Sequence, residues 1–136
     1  MNYDDDEGEG DDVDADPGGR VGPLGKPGAD RSPSGARLET WDEADGPLSE
    51  KRLILILEQE GYEVGVFTYR EGVSFPEHAH AQDKCDAVLE GFLRIEVAGE
   101  IFELKPGNRL YIPARTRHSA EVVGRRTVLS LDATRW

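Results

Sequence analysis

Residues 85–112, CDAVLEGFLRIEVAGEIFELKPGNRLYI, contain four short runs rich in Val, Ile, Leu, Phe and Tyr. They are cut apart by Gly91, by Ala98-Gly99 and by Lys105-Pro106-Gly107-Asn108. Runs this short, bounded by Gly, Pro and Asn, read as strands. VAGEI, 97–101, reads as a tight hairpin and KPGN, 105–108, as a turn. The same texture extends outward, to YEVGVFTYR (62–70) on one side and to HSAEVV (118–123) and RTVLSL (126–131) on the other. Seven closely spaced strands with brief connections predict an all-β domain, an antiparallel barrel or sandwich.

One helix is expected ahead of the strands. In PLSEKRLILILEQEGYEV, 47–64, Ser49 is placed as an N-cap, Glu, Lys, Arg and Leu favour helix, and Gly61 stands where a C′ glycine would. That predicts a helix over 50–60. The apolar core of the segment, LILIL at 53–57, also suits a buried strand, because so short a run has no diagnostic period.

The first 37 residues differ in kind. They hold eight of the sixteen glycines, four of the eight prolines, and ten acidic against four basic residues. Such a segment has too little apolar surface to offset its ordering entropy, so a disordered acidic arm is expected over 1–37 and a domain over 38–136. Its opening, NYDDDEGEGDDVDAD, has neither a basic n-region nor an apolar h-region, unlike a secretory signal. A chain of 136 residues fits about one such domain.

The net charge of −12 divides about equally between arm and domain, and neither half carries a basic face. Phosphate recognition needs clustered Lys and Arg, so nucleic acid is not an expected partner. The longest apolar run is five residues, against the roughly 20 that a spanning helix needs, so no membrane is expected either. Cys85 is the single cysteine and forms no internal disulfide, which suits a reducing cytoplasm.

All three histidines lie near the strands, two of them one residue apart in FPEHAHAQDKCDAVLEG, 75–91. Residues two apart on a strand share a face, so His78 and His80 would present two imidazoles side by side, and a third from a distant segment would close a facial set. The plainer alternative is that His78 and His80 flank a solvated loop while His118 caps a strand end.

GVSFPEHAHAQDKCDAVLEG, 72–91, resembles the first cupin motif: a glycine (Gly72), five residues, His78-x-His80, and a closing glycine (Gly91). GNRLYIPARTRH, 107–118, resembles the second, with Gly107, five residues, Pro113, then His118. Fifteen residues separate Gly91 from Gly107, as in small microbial cupins. The resemblance implies a small jelly-roll-like barrel whose pocket is lined by strand side chains. It also implies a divalent metal ion (iron, zinc, manganese or nickel) held by His78, His80 and His118. Three departures stand out. The second motif's glycine is Arg115, its asparagine is Val122, and the first motif's glutamate is absent, with Lys84 in its place or Cys85 if the loop is one residue longer.

A charged lysine against a divalent ion needs compensation. By two-residue parity Asp86 shares the face of Lys84 and is expected to neutralise it, unless Lys84 snorkels to solvent. The simplest ligand set is three histidines plus water, with Asp86 or Asp83 as an added oxygen ligand. Cys85, on the opposite face, reads as a small strand hydrophobe. Glu77 points outward by the same parity, and Arg115 and Arg117 read as solvated loop charges, or else as one arginine that grips a carboxylate substrate. Three neutral imidazoles with open positions suit iron(II) and oxygen, or a polarised water on zinc, nickel or manganese. The expected function is a metal-dependent enzyme, oxygenase- or isomerase-like, acting on a small organic molecule. The alternatives are a non-catalytic sensor or storage module and an interaction protein working through its acidic arm. A homodimer is left open.

Overall fold

A computed structural model describes residues 32–136. Its elements run β1 (Arg37–Thr40), a 3-10 turn (Glu43–Asp45), α1 (Glu50–Gln59), β2 (Glu63–Tyr69), β3 (Ser74–His78), β4 (Asp83–Glu90), β5 (Leu93–Val97), β6 (Glu100–Leu104), β7 (Asn108–Ile112), β8 (His118–Val122) and β9 (Val128–Arg135). The strands form two antiparallel sheets, β1-β7-β4-β9-β2 and β3-β8-β5-β6.

The expected turns set the register of the middle strands. Ala98 and Gly99 both adopt positive φ, as a two-residue hairpin turn of the mirror-image type requires, so Val97 pairs with Glu100. In KPGN, Gly107 has φ +96 and the Asn108 amide donates to the Lys105 carbonyl at 2.9 Å, closing a turn with Pro at its second position and Gly at its third. Strand alternation then sorts the side chains. Val88, Leu110, Ile112 and Val128 of the larger sheet meet Leu93, Ile95, Val97 and Leu104 of the smaller one between the sheets.

The outer face of the larger sheet is closed by α1. Leu53 and Leu57, one helical turn apart, are fully buried against Cys85, Ala87, Leu89, Tyr111, Leu131 and Ala133. Each contributes roughly 1.5–3 kcal/mol by leaving water. Leu55, between them, is 53% exposed, so LILIL follows the helical period and the strand alternative falls. The Ser49 hydroxyl caps the helix by accepting from the Arg52 amide at 3.0 Å, and Gly61 follows the helix with φ +93.

The seven expected strands are present, and two more accompany them. β1 is only four residues long. β3 contains Pro76, tolerated because β3 is an edge strand that leaves one row of amides unpaired. Residues 1–31 of the expected acidic arm lie outside the described residues. The rest of that segment packs into the domain. Ala36 is fully buried in the core between the sheets, the Ser34 amide donates to Glu100, and Arg37 opens β1.

Candidate metal centre

The three histidines meet between β3, β8 and the loop after β3. His78 is the last residue of β3 and His118 the first of β8, and the two are direct cross-strand partners. A register shift between Phe75 and His78, around Pro76, brings them level. His80 lies beyond the strand end, so strand parity, the expected cause of its position beside His78, is not what places it there. The loop is instead pinned by its backbone: the His80 carbonyl accepts from the Arg115 amide at 2.6 Å. Arg115 stands at φ +64, a left-handed conformation in the place where the second motif has its glycine. One ring nitrogen from each histidine lies within 4.8 Å of the others, with ring centres 4.4–5.3 Å apart.

Two of the rings are oriented by the backbone. Nδ1 of His78 lies 2.7 Å from the Pro76 carbonyl and Nδ1 of His118 lies 2.9 Å from that of Thr116. A carbonyl only accepts, so both Nδ1 atoms carry hydrogen and both Nε2 lone pairs are available in the neutral rings. Burial drives His118 down to about 4, with the neighbouring rings and Lys84 adding to the effect. His80 is lowered by burial, then by His78 and by Lys84. Neutral imidazole is the ligating form. The donor chemistry therefore fits a borderline divalent cation.

Asp86, the fourth expected ligand, is not in this cluster. It lies on β4 directly across from Asp132 of β9. Burial, and after it the charge of Asp132, pushes its carboxyl up to about 7. Lys84 also departs from expectation. It lies on the inner face of the larger sheet, directly across from Ile112 of the core between the sheets, but its partner is Asp132 and not Asp86. Nζ lies 2.7 Å from Asp132 Oδ1, an ion pair without hydrogen-bond geometry, and donates to Thr134 Oγ1 at 2.7 Å. The reason is register. Thr134 is the direct cross-strand partner of Lys84 and Asp132 the diagonal one, both within reach of a long side chain.

The other candidates are occupied elsewhere. Asp83 accepts from the Ala114 amide and from Arg135, each at 3.0 Å. Cys85 is buried under α1, on the sheet face away from the histidines, with its thiol pushed up by burial. Glu77 and Arg117 form an exposed ion pair at 3.4 Å.

Sequence reading missed Asp132, Thr134 and Tyr69. The signal for the first two is the alternation of β9, in which Ser130, Asp132 and Thr134 put a polar group at every second position while Leu131 and Ala133 pack under the helix. Tyr69 joins the same interior group. Burial, Asp132 and Asp86 raise its hydroxyl to about 12. Its ring packs edge-on against Phe75 at 4.9 Å and beside Phe67 at 6.3 Å, an aromatic wall next to the polar cluster.

A family model for the cupin domain matches residues 65–133, half of the chain and the whole span from β2 into β9. Among solved structures, acireductone dioxygenase from Bacillus anthracis with a cadmium ion in its active centre is similar at TM-score 0.57 and 18% identity, over 74% of this chain and 78% of that one. DMSP lyase DddQ from Ruegeria pomeroyi is similar at TM-score 0.51 and 21% identity, over 56% of this chain and 39% of that one. A conserved protein of unknown function from Streptococcus pyogenes gives 0.50 and 20%, over 54% of this chain and 63% of that one. At these identities the likeness is one of fold, and the chain spans under two thirds of the last two proteins. No curated protein matches the chain in sequence.

Proposed function

This chain belongs to the cupin domain family, and from that premise we propose that it is a metal-dependent enzyme acting on a small organic molecule between its two sheets, by an oxygenase- or isomerase-like reaction. The observation that carries the reading is the set of three convergent imidazoles, two of them fixed by carbonyls so that Nε2 is left to ligate. Purely structural histidines have no need of such convergence.

The ion would be iron, zinc, manganese or nickel, held by His78, His80 and His118. It would supply Lewis acidity and, if iron, access to oxygen chemistry. No carboxylate among the described residues joins the three histidines, so an ion held there would have positions left for a substrate. The residues of this chain do the rest. The Pro76 and Thr116 carbonyls hold two ligands in one tautomer. The Arg115 amide holds the loop that carries the third. Tyr69, Phe67 and Phe75 give the organic part of a substrate an aromatic surface, and the apolar core between the sheets shields the other end of the site from water.

The test starts with metal. Purified protein titrated with each of the four ions should take up one equivalent, and His78→Ala, His80→Ala and His118→Ala should each lose stoichiometric uptake by elemental analysis. A full equivalent retained in any variant removes that residue from the set. Turnover of a panel of small carbonyl and carboxylate compounds by the loaded protein then separates an enzyme from a sensor or storage module. Stoichiometric metal with no turnover in any of them favours the latter.

A further inference from the structure

We infer that Lys84 is a substrate-binding residue: its ammonium donates to an anionic oxygen of a ligand bound at the histidine cluster, so the site takes small organic anions, carboxylates or enolates. The inference rests on the metal-site reading above and goes further, to the charge of the substrate and to the residue that recognises it.

The side chain in question is 11% exposed and lies on the inner face of the larger sheet, directly across from Ile112 of the core between the sheets, while His118 lies on the inner face of the smaller sheet, directly across from Val97 of the same core. An ammonium has three hydrogens. Thr134 takes one, Asp132 lies close enough to balance the charge, and no other group among the described residues hydrogen-bonds to it. A buried polar hydrogen without an acceptor is costly, so the arrangement calls for an acceptor that arrives from solution. Charge selects its kind. Three neutral imidazoles contribute no negative charge to balance a divalent ion, Lys84 with Asp132 sums to zero, and no carboxylate among the described residues lies with the three histidines. An anionic oxygen lying between ion and ammonium satisfies both.

Asp132 and Thr134 are positioning residues in this scheme. Together they fix the rotamer of a side chain with four rotatable bonds, so the ligand does not bear that ordering cost. The position where the resembled motif supplies a carboxylate ligand to the ion supplies here a donor to the ion's ligand. The polarity of that position is reversed.

The experiment uses the full chain loaded with cobalt(II), whose visible absorption reports changes in coordination, and oxalate as the probe anion. Oxalate should perturb the spectrum of the wild type saturably. Lys84→Met should weaken oxalate binding roughly 10- to 100-fold, as expected for loss of a hydrogen bond between charged partners, while cobalt uptake is undiminished. The double variant Asp86→Asn/Asp132→Asn should tighten oxalate binding several-fold by leaving the ammonium with no carboxylate beside it, a gain that a merely structural ion pair would not produce. If Lys84→Met leaves Asp132 too exposed to fold well, the charge-balanced double variant Lys84→Met/Asp132→Asn carries the same prediction as the single one. Equal oxalate affinity in wild type and in the Lys84 variants overturns the inference, as does cobalt-loaded wild type that is indifferent to oxalate. Both of those leave the metal site standing. Failure of the wild type to take up cobalt removes the metal reading itself, and the inference with it.

Discussion

Asp86→Asn should stabilise the metal-free protein at pH 8 and leave it unchanged near pH 4. Asp86 and Asp132 face one another across β4 and β9, with the single ammonium of Lys84 between two carboxylates and in contact with Asp132. Like charges directly opposed on neighbouring strands destabilise a sheet. The fold answers by holding Asp86 protonated, burial and Asp132 together lifting it from 3.8 to about 7. The folded state therefore binds more protons than the unfolded one between those values, so stability is complete below about pH 4 and is lost as pH rises toward 7. The interval of about three pH units, at about 1.4 kcal/mol each, sets a ceiling of about 4 kcal/mol. Asp86 is only partly buried, so water screens part of the effect and about 2 kcal/mol is the expected loss. The amide keeps the shape and removes the titration. Urea unfolding of wild type and variant, in chelator from pH 4 to 8.5, gives a difference curve in which the other groups cancel. It should rise from zero to about 2 kcal/mol in favour of the variant, a shift of roughly 10 °C in Tm for a domain this small. A flat difference, or a wild type more stable than the variant at pH 8, would refute the argument and indicate an ionised, well-partnered Asp86.

Two further expectations concern the scaffold. Gly91→Ala should cost 2 kcal/mol or more by thermal unfolding, because Gly91 has φ +82 and an added Cβ would lie 2.7 Å from the Thr127 carbonyl oxygen and 3.0 Å from Val128 Cα, backbone atoms that cannot swing away. A chain beginning at Leu38 should be less stable than one beginning at Ser32 by about 1–3 kcal/mol in urea unfolding, since it lacks the buried Ala36, the Ser34 to Glu100 hydrogen bond and the first pair of β1; equal stability would place the working boundary at 37.

What the sequence revealed and what it hid divide along a physical line. His78, His80 and His118 were legible because three histidines at motif spacing form a one-dimensional signal, and the hairpin and helix were legible because Gly99, Gly107, Ser49 and Gly61 act locally on the backbone. β1 and β3 were not, because RLET is short and FPEH carries a proline, so their pairing with β7 and β8 decides them and not their own propensity. The partner of Lys84 was hidden for a related reason. Same-strand parity correctly faced Lys84 inward but favoured Asp86, whereas Asp132 lies 48 positions along the chain and reaches Lys84 only through the β4/β9 register.

The two departures from the resembled motifs that bear on the site differ in the same way. Arg115 in place of a glycine preserves the backbone: it holds φ +64, at a cost of roughly 1–2 kcal/mol for a residue with a Cβ, and its amide still bonds to the His80 carbonyl. The interaction that holds His80 in place belongs to the main chain, so it does not depend on the side chain at 115. Lys84 in place of a glutamate does the opposite. The side chain on β4 carries the opposite sign to the one the motif calls for, and its charge is met by Asp132 and Thr134 on the neighbouring strand. A motif comparison weighs both departures alike, as one mismatch each. Physically, the first is absorbed by the main chain, whereas the second replaces a carboxylate with an ammonium, the difference that the oxalate experiment tests.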